Sequence, residues 1–204
     1  MSVVHILDTL SEWAKVNICD KVSLKAPPPN EMPDDSAYDY KLVNPSVFTL
    51  YVPTSEKLPP NIHSPFPSLC VRFMEGENGL SSGKGFINVQ FVFSAWDPGT
   101  HGKDRLAFIS VKNNIWQDNG GAETFERNGD GWRDVWNFVD VALRAVESVT
   151  NIGGYVIDHQ TPIKFGPLGE QESIPDFYPF WFAWISFRVN YPLMRNVEDF
   201  QNHL

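Results

Sequence analysis

Positive charge is scarce in this chain: 16 Lys and Arg stand against 25 Asp and Glu, for a formal net charge of −9 over 204 residues. That balance argues against a surface built to grip nucleic-acid phosphates, which depends on clustered Lys and Arg; residues such as Lys103 and Arg105 are scattered. It is compatible with an acidic wall past which DNA slides without adhering. Cysteine is scarcer still, with only Cys19 and Cys70. The expectation is two buried, reduced thiols in a cytoplasmic protein rather than a disulfide framework, since a chain of this length needs no staple. No basic N-terminal segment leads into an apolar run, so no signal peptide is expected. No stretch approaches the ~18 uninterrupted apolar residues of a membrane helix; the most apolar segment, 177–189, is broken by Pro179, Ser186 and Arg188.

Recognisable catalytic patterns are missing as well. The stretch Gly79-Leu80-Ser81-Ser82-Gly83-Lys84-Gly85 has neither the spacing of a phosphate loop nor a Ser or Thr after its lysine, and reads as a hairpin turn. His5, His63, His101, His159 and His203 are dispersed, with no pair four residues apart on a helix to hold zinc. His101 with Asp97 and Asp104, or Asp158 with His159, would form a site only through tertiary proximity. No Gly-x-Ser-x-Gly elbow is present, Cys70 sits at a strand centre, and Glu170 and Glu172 read as solvated carboxylates on a Gly/Pro-rich loop. The sequence therefore predicts no catalytic residue, no cofactor and no metal.

What the chain does have is a globular apolar content of 42% and a surplus of aromatics: 15 Phe, 7 Trp and 6 Tyr. Such residues fill cores and also enrich protein–protein contacts. Val3 to Ile18 reads as an amphipathic helix, with Val3, Ile6, Leu7, Leu10, Trp13 and Ala14 on one face. Pro-rich loops follow at 26–45 and 53–67, flanking a short strand at Val47 to Val52. Ser68 to Met74 and Phe86 to Trp96 alternate apolar and polar residues around a Gly-rich connection, predicting an antiparallel hairpin. Leu69, Val71 and Phe73, and Ile87, Val89, Phe91 and Phe93, form its buried face. An insertion spans about 97–130, and its apolar residues Leu106 to Ile115 fit helix and strand alike. Trp132 to Val149 carries a continuous stripe of Trp132, Val135, Trp136, Val139, Leu143, Val146 and Val149, with Asp130 placed to cap it and Gly153-Gly154 to end it. Short strands are expected at Tyr155 to Ile157 and Ile163 to Phe165. Trp181 to Tyr191 is the last strong strand, with Trp181, Ala183, Ile185, Phe187, Val189 and Tyr191 on one face. The order predicts a single-domain α+β protein with a mainly antiparallel sheet, an N-terminal helix and one strong amphipathic helix packed on it.

Phe182 and Trp184 fall on the other face of that last strand. A strand apolar on both faces is either central, with a layer on each side, or covered by another subunit. Trp116 and Phe125 on the insertion offer a second candidate contact, since a ring joins two different patches head to tail.

The order of elements, with the Phe66 to Phe73 strand segment Phe-Pro-Ser-Leu-Cys-Val-Arg-Phe, resembles the tail terminator (tail-completion) proteins of long-tailed bacteriophages of the lambda type. Trp96-Asp97-Pro98-Gly99, Asp130-Gly131-Trp132-Arg133-Asp134, Pro162-Ile163-Lys164-Phe165-Gly166 and Tyr178-Pro179-Phe180-Trp181-Phe182-Ala183-Trp184 are similar to segments of proteins from Gram-positive phages and prophages. The resemblance covers roughly 66–192; residues 20–65 and 100–129 look longer than the minimal family. It implies a non-enzymatic homo-oligomer, usually a hexameric ring, in the neck of the virion and assembled in the bacterial cytoplasm. Its implied partners are itself, the tail-tube protein and the head connector, with DNA passing through unbound. The competing expectations are another neck or tail component, such as a head–tail connector or tube subunit, and an enzyme with a tertiary-assembled site.

Overall fold

The computed structural model describes residues 2–27, 41–62, 64–101, 109–112, 115–118, 125–127, 130–168 and 177–193. Its centre is three long strands: β4 (Ser68–Gly79), β5 (Lys84–Trp96) and β13 (Phe180–Pro192). β5 lies between the other two and is antiparallel to both, pairing with β13 without interruption from Phe180–Trp96 to Pro192–Lys84. On the far side of β4, β3 (Ser46–Thr49) adds a short parallel strand. On the far side of β13 lie β12 (Lys164–Pro167) and β11 (Tyr155–Ile157), with β10 (Asn151–Ile152) beyond β11, all antiparallel to their neighbours. The protein is α+β, and the sheet is mostly antiparallel.

Alternation decides which face is buried. Leu69, Val71, Val89, Phe91, Phe93, Ala183, Ile185 and Val189 are all wholly shielded from solvent. Onto this face pack α1 (Val3–Asn17), through Ile6, Leu7, Leu10 and Ala14, and α2 (Trp132–Glu147), through Val135, Phe138, Val139, Ala142 and Val146. The Phe93 ring meets Phe138 of α2 edge-on (4.9 Å) and joins sheet to helix, while Phe91 on Phe187 (5.1 Å) ties β5 to β13 within the sheet. Each fully buried side chain of this size contributes roughly 1.5–3 kcal/mol.

The remaining described strands are small: β1 (Leu24–Ala26) pairs with β2 (Lys41–Val43). In the 97–130 insertion, where the sequence leaves helix and strand open, β7 (Ile109–Lys112) pairs with β8 (Ile115–Asp118). β6 (Gly99–His101) pairs with β9 (Phe125–Arg127), so one antiparallel pair is nested in sequence inside another.

Several expectations need correction. The strand expected over Ser68 to Met74 begins at Ser68 but runs to Gly79, and Phe73, expected on the buried face, is 41% exposed at the last pair before a register shift between Phe73 and Glu75. Trp132 is not on the buried stripe; at the first turn of α2 it is 43% exposed, with the Arg133 guanidinium 4.9 Å from its ring centre. Asp130 does not cap α2 with its side chain. Gly131 holds the cap position, the Asp130 carbonyl accepts from the Arg133 amide (2.9 Å), and its carboxylate lies 3.6 Å from the Arg133 guanidinium. The helix ends at Glu147, before the expected Val149. Gly153 and Gly154, both at positive φ, instead form the turn between β10 and β11. Val3 is 43% exposed rather than on the packed face of α1. The Val47–Val52 strand is Ser46–Thr49, and the Ile163–Phe165 strand is Lys164–Pro167.

Phe93→Ala is expected to cost about 3–5 kcal/mol, since it empties a sealed site between sheet and α2. Val4→Ala, at a position 64% exposed, is expected to stay within about 0.5 kcal/mol. Urea denaturation of the two variants checks both.

Candidate interaction surface

Three of the segments that the sequence singles out meet at one residue. Asp97 follows β5, and its carboxylate Oδ1 accepts from the Gly99 amide (3.0 Å), closing the Asp-Pro-Gly turn, and from Lys25 Nζ of β1 (3.1 Å). Lys25 Nζ also donates to the Gly99 carbonyl (3.2 Å). The Asp97 carbonyl accepts from the Trp181 indole N–H (3.1 Å), its amide donates to the Pro179 carbonyl (3.0 Å), and the Tyr178 hydroxyl donates to the Pro98 carbonyl. Gly131 completes the junction. A Cβ at this position would lie 2.2 Å from the Trp181 indole nitrogen and 2.8 Å from the Asp97 carbonyl oxygen, so α2 starts where only glycine fits. The Lys25 and Asp97 side chains are each 12% exposed. A nearly buried ion pair of this kind is satisfied by its hydrogen bonds rather than by charge alone. Its role here is to tie β1, the root of the insertion, α2 and β13 together. Nothing in the sequence marks Lys25 as the partner: it stands in an unremarkable Leu-Lys-Ala strand, 72 residues from Asp97.

The second face of the sheet is organised as cross-strand rows: Ser68, Ser94 and Phe182; Cys70, Val92 and Trp184; Arg72, Gln90 and Ser186. Ser68, Gln90 and Ser94 are buried polar residues, and the Ser68 and Ser94 hydroxyls bond each other at 2.8 Å. Phe182 and Trp184 are both half-buried. Phe182 meets Phe66 (6.0 Å) and Phe177 (5.4 Å) edge-on. Trp184 donates its indole N–H to the Pro167 carbonyl (3.0 Å), and Gly166 lies against its ring. Of the two arrangements left open for this strand, β13 is indeed central, yet the described cover on this face comes from loops and the β12 margin, not from a helix. Phe177, beside Phe182, is exposed, whereas exposed Phe165 pairs with Ile185 on the helix-bearing side, its ring 6.3 Å from Trp136. Trp116 and Phe125 fall on β8 and β9, in the insertion, and their side chains lie outside the described residues. The structure thus brings Phe182 and Trp184 together and does not describe what the other two touch.

The described residues with catalytic potential do not converge. Among the described residues, no group of three His, Cys, Asp or Glu could hold a metal ion. The Asp158 carboxylate is spent on its own turn, accepting from the Thr161 hydroxyl (2.8 Å) and the Gln160 amide (3.0 Å), and these bonds, the hydroxyl first, lower its pKa. His159 Nε2 rests against the Val149 carbonyl (2.9 Å). Gly79 to Lys84 is the β4–β5 hairpin turn, with the Ser82 hydroxyl donating to the Gly79 carbonyl (2.9 Å). The side chain of His101 and residues His63, Asp104, Glu170, Glu172 and His203 lie outside the described residues. Both cysteines are free and buried. Burial pushes the Cys19 thiol up to about 12 and the Cys70 thiol up to about 11. No described helix is long and apolar enough to cross a membrane.

The chain matches no protein-family model and no curated protein.

Two outcomes are expected. Asp97→Ala removes the carboxylate that Lys25 and the Gly99 amide share and is expected to cost about 3 kcal/mol, with the double variant Lys25→Met/Asp97→Ala costing less than the two singles added; chemical denaturation of the three proteins reads the coupling. At pH 8 the native thiols, with about one thiolate per thousand or fewer, are expected to resist a disulfide reagent, whereas both titrate at once in guanidinium.

Proposed function

We propose that this chain is a non-enzymatic tail terminator of a long-tailed phage or prophage. In this reading it forms a ring at the head-proximal end of the tail tube, stops tube growth and offers the head connector its docking surface. The observation that carries the proposal is the one-sided clothing of the sheet. Both helices pack on one face, while the other presents half-buried Phe182 and Trp184 beside exposed Phe177. An aromatic patch whose cover among the described residues comes only from loops and the β12 margin is what a subunit boundary uses. The order of elements and the quoted motifs add the resemblance to tail terminators, and the net charge of −9 suits a lumen that DNA traverses without adhering. On this reading the protein resides in the virion neck, takes no cofactor, and has itself, the tail tube and the head connector as partners.

Light scattering over a concentration series, with electron microscopy of the large species, tests the proposal, in the presence and absence of purified phage tail tubes. The wild type is expected to form rings alone or on tubes. Trp184→Ser is expected to weaken each contact by about 2 kcal/mol, the scale of an aromatic hot spot, while its far-UV spectrum stays native. A monomer that also ignores the tube overturns the proposal.

A further inference from the structure

The two margins of the central sheet differ, and each is incomplete. β3 covers β4 only from Ser68 to Val71, where the Leu50 amide closes the stretch on the Val71 carbonyl (2.8 Å). From Arg72 to Gly79 the outer side of β4 has no strand partner among the described residues. This open stretch exposes Phe73 and, at 55%, Met74, and leads to Leu80 at the tip, 74% exposed. It is also firmly held. The Tyr191 hydroxyl donates to Asn78 Oδ1 (2.8 Å), Asn88 Nδ2 to Glu75 Oε1 (2.8 Å), and the Leu193 amide to the Gly83 carbonyl (2.9 Å). Unpaired edges of this length invite strand addition unless they are blunted. Blunting here is limited to the bulge at Met74 and the exposed carboxylates of Glu75 and Glu77.

At the opposite margin, β12 pairs among the described residues with β13 alone. Lys164 and Phe165 are exposed there, Phe165 at 56%, and Val156 of β11 is exposed at 51%.

We propose that the β4 edge from Arg72 to Gly79 pairs with the β12 margin of a second copy of this chain, so that the sheet continues across the subunit boundary. Charge selects this occupant. Two β4 edges facing each other would bring Glu75 and Glu77 of both copies to one seam with only Arg72 of each copy to offset them, and such an excess of like charge on paired strands is destabilising. The β12 margin brings a lysine and exposed apolar side chains to carboxylates, Phe73 and Met74. Strand direction agrees. β4 and β13 are both antiparallel to β5, and β12 is antiparallel to β13. Rotation about an axis along the strands therefore brings β12 of the next copy antiparallel to β4. Through the shared register β12 stands level with Val71 and its neighbours, so the pairing needs an offset along the strands, which the tilt of strands in a closed sheet supplies. The contact is heterologous, the kind that closes into rings. The inference rests on the ring reading for self-association and adds which edges meet.

The test mixes two full-length single variants, Glu77→Cys and Lys164→Cys, and treats them with a flexible bismaleimide; the native cysteines are buried and do not compete. Covalent dimers are expected in the mixture and not with either variant alone. Independently, Glu77→Lys is expected to reduce the oligomer by about tenfold or more, and adding Lys164→Glu to restore it. Dimers from Glu77→Cys alone would show that the β4 edge pairs with itself and overturn the proposal. Oligomers that form without cross-linking in the mixture would overturn it and leave the ring reading standing. A protein monomeric under all conditions, tubes included, overturns both.

Discussion

The unbroken pairing of β5 with β13 is the constraint on which the rest of the structure depends. Side chains alternate with a period of two, so a slip of one residue would turn Val89, Phe91, Phe93, Ala183, Ile185 and Val189 out of the core together. That shared penalty fixes the register over the whole length. It fixes in turn the face on which α1 and α2 find apolar ground, and the rows in which Ser68, Ser94, Phe182, Val92 and Trp184 stand on the other side. Both the packed layer and the candidate contact surface follow from one ladder.

The Asp97 junction is the second organising point, and it differs in kind. The ladder is held by burial and repeated hydrogen bonds. The junction is held by a handful of specific polar contacts on a turn that Pro98 and Gly99 shape, with Lys25 brought in from the other end of the chain. Its partners come from four elements, so its loss would loosen their mutual placement more than any one of them. The conspicuous Trp-Asp-Pro-Gly and Asp-Gly-Trp segments are explained locally by this geometry, since Gly131 has no room for a side chain beside Trp181 and Asp97.

Where residue pattern and burial coincide, the fold was legible in the sequence. The alternation of Ile87 to Phe93 and of Ala183 to Val189, and the spacing of Val135, Val139 and Val146, each report a one-sided environment directly. Contacts set by tertiary geometry were not. Trp132 continues the helical stripe in spacing but lies in the first turn, beyond the edge of the sheet it would need to cover. Phe73 keeps the alternation of β4, yet the extra residue at Met74 breaks the ladder there, and no sequence signal marks a bulge lacking glycine. Phe182 and Trp184 were legible as a second apolar face, because period two places them there; their neighbours Phe66, Phe177 and Gly166 come from distant loops with no local pattern. Lys25 was invisible for the same reason.

The close approach of Gly131 to Asp97 has a consequence for how the chain tolerates change. The segment between them leaves the sheet and returns to the same spot, so its two ends are clasped whatever lies between. Closing a loop costs only the logarithm of its length, and the clasp is made at its two ends, by Asp97, Pro98 and Gly99 on one side and Gly131 on the other. A change in the number of residues between Gly99 and Gly131 is therefore expected to cost the clasp little, in the manner of a cassette held at its two ends.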